Sequence, residues 1–132
     1  LAKNKDKEGY QISSYISDFC KMLAKAQEDY KWNREEVNRL DKLTQDYLHQ
    51  LELEGLNYRE RAKVATQLSQ CRQLRRDSKD TVEVLEPLIA FLESDKGKNT
   101  INLMRNVLGK TRSIEEKMKL RTYRYKVLTE SE

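Results

Sequence analysis

The residues of this chain best suited to meeting another molecule are Arg112, Lys117, Lys119, Arg121, Tyr123, Arg124, Tyr125 and Lys126. Cations interleaved with tyrosines can neutralise a phosphate backbone while the rings stack on bases, and binding of that kind weakens steeply as salt rises. The same chemistry suits an acidic patch on a protein. A third use is structural: Tyr123, Tyr125, Val127 and Leu128 would pack the tail against an acidic first helix. No helix-turn-helix, zinc-finger or RNA-binding signature accompanies the cations, so a protein partner ranks ahead of a nucleic acid.

Other residues that invite a chemical reading do not support one. Gly109, Lys110 and Thr111 match the end of a phosphate-binding loop, but the glycine that motif needs five residues earlier is Met104 here, and no strand precedes it. His49 is the single histidine, and it falls on an outward helix position with no nucleophile or acidic pair beside it. Cys20 and Cys71 have no metal-ligand spacing and read as small buried or half-buried apolar residues. The carboxylates lie at helical spacings typical of solvated ion pairs. The reading is a non-enzymatic chain with no cofactor and no metal.

Charge is unevenly spread along the 132 residues, which carry 26 Lys and Arg against 22 Asp and Glu. Residues 9 to 54 hold six cations and nine anions, a net of −3, whereas residues 96 to 128 hold ten and two, a net of +8. With 36% charged residues, four Gly and one Pro, the chain has little turn chemistry and no room for a many-stranded sheet. Long helices follow. No apolar run is long enough for a membrane span, and Leu1 to Gly9 is a polar, lysine-rich lead-in that lacks the apolar centre of a signal peptide. A cytoplasmic location is the expectation, and a first residue of Leu reads as a processed or trimmed start.

The elements that must position these residues are two matching seams. In the first, Ile12, Ile16, Phe19, Leu23, Ala26, Tyr30, Asn33, Val37, Leu40, Thr44, Tyr47 and Leu51 recur at alternating steps of four and three, as in a coiled coil. At roughly 1.5 Å per residue such a helix is about 60 Å long and needs a partner. Gly55 can close it in the left-handed conformation, and Asn57 with Glu60 forms a capping pair that restarts the chain at once. A turn this short makes the next helix antiparallel. Its seam is Val64, Leu68, Cys71, Arg75, Ser78, Val82, Leu85, Ile89 and Leu92. Partners across the hairpin should have numbers summing to about 112, which brings Asn33 near Ser78 in a polar layer and separates Cys20 from Cys71 far beyond disulfide reach. It also puts Glu36 and Asp41 opposite Arg72, Arg75, Arg76 and Lys79. That second basic cluster is therefore read first as stitching between helices and only second as a binding site.

Pro87 predicts a kink near Val84 to Pro87. The segment from Ser94 to Asn99, with Gly97 at its centre, is expected to end the second helix, with Asn99 or Thr100 capping a third segment that breaks at Gly109 and restarts at Ser113 with Glu116. Tyr15, Met22, Val84, Leu88 and Phe91, outside the seams, are expected to be covered where this segment docks on the open end, and Trp32 is expected to find cover too. The expected fold is all-α, a single elongated domain. It comprises a long antiparallel helical hairpin over 10–55 and 57–94, with a shorter C-terminal helical segment and basic tail over 99–128 on the hairpin's open end. The turn end either projects or pairs with a second copy as a homodimer.

The run Leu85, Glu86, Pro87, Leu88, Ile89, Ala90, Phe91, Leu92, followed by Lys98, Asn99, Leu103, Val107, Leu108, Gly109 and Lys110, resembles small uncharacterised helical proteins encoded by phages and prophages of Gram-positive bacteria. The resemblance covers roughly residues 59 to 128. It implies a protein that binds a host or phage macromolecule, as an inhibitor or adaptor of a host or defence protein.

Overall fold

The computed structural model describes residues 11 to 121 together with 127 and 128, and within them the chain is all-α. Three helices follow in order: α1 Ile12–Leu53, α2 Tyr58–Glu93 and α3 Asp95–Lys119. They fall into two compact units. One is Met22–Lys98, and the other joins the chain up to Lys21 with the chain from Asn99 onward.

The Met22–Lys98 unit is the antiparallel hairpin that the two seams specify. All nine seam positions of α2 are buried or half-buried, as are those of α1 from Leu23 to Leu51. Leu40, only 1% exposed, forms the core with Val64, Cys71, Ile89 and Leu92. Thr44 and Cys71 make the closest polar layer. The Thr44 hydroxyl donates to the Leu40 carbonyl at 2.8 Å, the Cys71 thiol donates to that same oxygen at 3.4 Å, and Thr44 Oγ1 lies 3.5 Å from Cys71 Sγ. Pairings such as Thr44 with Cys71 and Asp41 with Arg75 sum to 115 and 116, within a turn of the expected register. Ser78 is buried, while the Asn33 amide turns to its own helix and donates to the Asp29 carbonyl at 2.7 Å. Cys20 and Cys71 are both free thiols, the first half-buried and the second buried.

The turn follows its residues. Gly55 takes φ of 56°, the left-handed conformation that a side chain disfavours. Asn57 caps α2, its side-chain oxygen accepting from the Glu60 N–H at 2.8 Å. Helix α2 then runs on through Pro87 to Glu93.

Two expectations about α3 are corrected. It begins at Asp95, not at Asn99 or Thr100, because Ser94 serves both helices at once. Its N–H donates to the carbonyls of Ala90 and Phe91, its hydroxyl donates to Phe91, and its Oγ accepts from the Gly97 N–H at 3.0 Å. Helix α2 does end where the Ser94–Asn99 segment begins, but Gly97 belongs to the next helix and not to a break. It lies in the first turn of α3, so close to α2 that an added Cβ would sit 1.8 Å from the Phe91 carbonyl oxygen. Nor does α3 break at Gly109 and restart at Ser113; it runs unbroken for 25 residues. An isolated glycine costs a helix about 1 kcal/mol and does not by itself stop it.

Among the described residues the expected cover over the extra apolar residues is incomplete. Tyr15, Met22, Val84, Phe91 and Trp32 are exposed, Trp32 by 60%, and Leu88 is half-buried. Within the hairpin, each helix covers only the stripe facing it, and Met22, Trp32, Val84 and Phe91 lie off those stripes.

Candidate interaction surface

In the unit built from the start of α1 and most of α3, the two helices run antiparallel. The Ser13 N–H donates to Glu115 Oε2 at 3.4 Å, and Arg112 Nη2 donates to Ser17 Oγ at 3.5 Å. Moving four residues up α1 therefore moves three down α3. Helix α1 has no acidic residue in its first turn, where unpaired N–H groups and the positive end of the helix dipole favour a negative charge. Glu115 brings that charge in from α3. Its Oε1 is shielded from solvent and has no hydrogen-bond partner among the described residues. Sequence reading missed this contact, having paired Glu116 with Ser113; the available signal was the missing acid and weak cap at the start of α1.

The contact itself is thin. On the α3 side Ile101, Met104, Leu108, Thr111 and Glu115 are half-buried; on the α1 side Ile16, Ser17 and Cys20 are half-buried and Ser13 is buried. Large apolar side chains flank it only about half covered: Ile12 and Phe19 on α1, and Leu103, Val107, Ile114 and Met118 on α3. The α3 set is spaced by four, seven and four residues. That stripe becomes legible in the sequence only when α3 is taken as continuous through Gly109.

Of the tail residues singled out above, four are described, and all four are exposed. Arg112 makes the long bond to Ser17, Lys119 pairs with Glu116 at 3.3 Å on the surface, and Lys117 and Arg121 project from the end of α3. Tyr123, Arg124, Tyr125 and Lys126 lie outside the described residues. Val127 and Leu128 are exposed, so these two do not pack the tail against α1.

The second cluster separates into a structural part and a surface part. Arg75 crosses the hairpin to the Asp41 carboxylate, as the stitching reading expects. Glu36 does not join it. That carboxylate bonds Arg39 one turn along α1, which holds it below the ordinary carboxylate value of 4.5. Arg72, Arg76 and Lys79 remain exposed, interleaved along α2 with Asp77, Asp80 and Glu83 around an open depression. Acids one turn away partly cancel such a patch. On α3 the balance is different, with Glu115 and Glu116 the sole acids from Asn99 to Arg121.

Compared with known proteins, no family model, curated protein or solved structure matches the chain. Its surfaces carry the functional argument. His49 is exposed, and no group of three or more metal-ligating side chains occurs among the described residues. No helix among them is long and apolar enough to cross a membrane.

Proposed function

We propose that this protein acts without catalysis, by binding another protein through the basic C-terminal region that α3 begins. The observation that carries this reading is the joint exposure of cations and large apolar side chains on one helix: Lys110 and Lys117 stand beside Val107, Ile114 and Met118, with Arg121 just past the helix end. Protein interfaces combine an apolar centre with a charged rim, whereas a nucleic-acid surface is dominated by cations and polar groups. Together with the resemblance to phage-encoded helical proteins, this supports an inhibitor or adaptor of a host or defence protein, working in the cytoplasm.

Affinity capture from the source cell, with nuclease-treated controls and mass spectrometry, tests the reading. A protein retained after nuclease treatment supports it. The competing reading is a nucleic-acid binder using Arg121 and the segment 122–126, favoured by the excess of cations there. Titration with DNA and RNA at two salt concentrations decides between them. Tight, salt-sensitive binding lost in an Arg121→Gln, Arg124→Gln variant would replace a protein partner with a nucleic acid.

A further inference from the structure

We infer that the α1–α3 pair is a seat for an acidic amphipathic helix of a partner protein, an assignment that rests on the protein-binding reading above and gives that reading a site. At about 100° per residue, Val107, Ile114 and Met118 fall within about 60° of Leu103, and the covered Met104, Leu108, Thr111 and Glu115 follow at about 80° to 140°. Helix α1 repeats the order: Phe19 lies about 20° from Ile12, and the covered Ser13, Ser17 and Cys20 follow at about 80° to 140°. On both helices the exposed stripe precedes the covered one in the same rotational sense. Because the helices are antiparallel, the two exposed stripes open on the same side of the pair.

The result is a single apolar groove between two helices, formed by Ile12, Phe19, Leu103, Val107, Ile114 and Met118. Each of these side chains is between 46% and 66% exposed. Six half-exposed large side chains offer on the order of 500 Å² of apolar surface, at the upper end of the largest patch on a typical monomer. Helices packed about 8–10 Å apart leave a groove that admits a third helix lying along it.

Charge decides what that helix carries. The far edge of the α3 stripe holds Lys110 and Lys117, with the neutral Asn99, Asn106 and Ser113 as its other members and no acid, and Arg121 follows just past the end of the helix. A helix with Leu-like residues at its centre and Glu or Asp on its flank meets both features. A second copy of this chain would bring the same lysines to face one another, and like charges across an interface oppose association. An anionic bilayer would satisfy the cations, but a flat surface leaves the groove between the helices unfilled.

The test uses the full chain and a labelled helical peptide of about three heptads, with Leu at the seam positions and Glu at the flanking ones, alongside its Lys counterpart. Anisotropy should show the Glu peptide binding about tenfold or more tighter than the Lys peptide, with affinity falling as salt rises. A Lys110→Glu, Lys117→Glu variant should invert the preference. Ile114→Asp should abolish binding while far-ultraviolet circular dichroism stays unchanged. Equal binding of both peptides, or of neither, overturns the proposal. So does a dimer in sedimentation that Ile114→Asp dissociates, since the groove would then belong to a second copy, and so does binding to phosphatidylglycerol vesicles without binding to the Glu peptide. If Ile114→Asp leaves capture of the cellular partner intact, this site is wrong while the protein-binding reading stands. If capture yields only nucleic acid, that reading falls first.

Discussion

The hairpin of residues 22–98 and the pair formed by residues 12–21 with 99–121 use the same device, two antiparallel helices, with opposite results. In the hairpin, matched seams bury Leu40, Val64, Cys71, Ile89 and Leu92. In the pair, Ser13 is the one buried residue among those described, and Leu103, Val107, Ile114 and Met118 of α3 stay about half-exposed. The difference lies in what each partner helix offers. From Leu23 to Leu51, α1 presents a seam that is apolar except at Asn33 and Thr44, whereas its first turns present Ser13, Ser17 and Cys20, which fill little space, beside the half-buried Ile16. A helix pair with a full seam closes on itself; one with a small, polar seam on one side leaves the other helix's apolar arc available.

The sharpest way to break that contrast is to truncate one apolar residue on each side of it. Leu40→Ala should lower unfolding free energy by about 2 to 5 kcal/mol, the usual cost of emptying a closed core site. Ile114→Ala, at a residue 54% exposed, should stay within about 0.5 kcal/mol of the parent. Chemical denaturation of the two variants measures both. Comparable losses would mean that the α3 stripe is covered in solution and that the two regions do not differ in kind.

The glycines give a second, smaller comparison. Gly97→Ala drives a methyl group into the Phe91 carbonyl and should cost about 1 to 3 kcal/mol by forcing apart the corner that Ser94 holds. Gly109 has nothing within 4 Å of its added Cβ, so Gly109→Ala should stabilise by about 0.5 to 1 kcal/mol through helix propensity alone. Thermal unfolding separates the two signs. A stabilising Gly97→Ala would show that the corner opens in solution.

These contrasts also explain which parts of the molecule could be read from the chain. The hairpin was legible because seam spacing, the left-handed Gly55 and the Asn57 cap all point to one register, and the ion pair of Arg75 with Asp41 confirms that register to within a turn. The start of α3 was not, since Ser94 closes one helix and opens the next, and a side chain doing both leaves no run of loop residues to mark the boundary. Gly97, expected at the centre of a break between the helices, misled for a related reason. A glycine needed for close approach looks the same in sequence as a glycine that ends a helix. The basic character of α3 was plain from composition, but its apolar stripe was hidden by the assumed break at Gly109. The approach of Glu115 to Ser13 joins residues about a hundred positions apart and follows from no local pattern. Trp32 was expected to be covered on grounds of size and Phe91 because it lies off the seam at the open end, and neither ground supplies a partner helix.

The smallest expected effect sharpens the comparison from the hairpin's surface. If matched seams close the hairpin, its exposed ion pairs should contribute little, and the Glu36–Arg39 pair tests this because both partners lie on α1, with Arg39 largely exposed. Its hydrogen bond to Arg39 lowers the Glu36 carboxyl below 4.5, so the folded state binds that proton less readily than the unfolded chain does. The stabilisation is therefore fully present above 4.5 and disappears as pH falls through the lowered folded value. Discounted for exposure, it amounts to about 0.3 to 0.5 kcal/mol. Glu36→Gln should differ from the parent by that amount at pH 7 in urea unfolding, and the difference should close as acidification passes through the lowered Glu36 value. A loss above 1 kcal/mol at pH 7 would place part of the hairpin's stability in its surface charges, and the contrast with the α1–α3 pair would then rest on electrostatics as much as on packing.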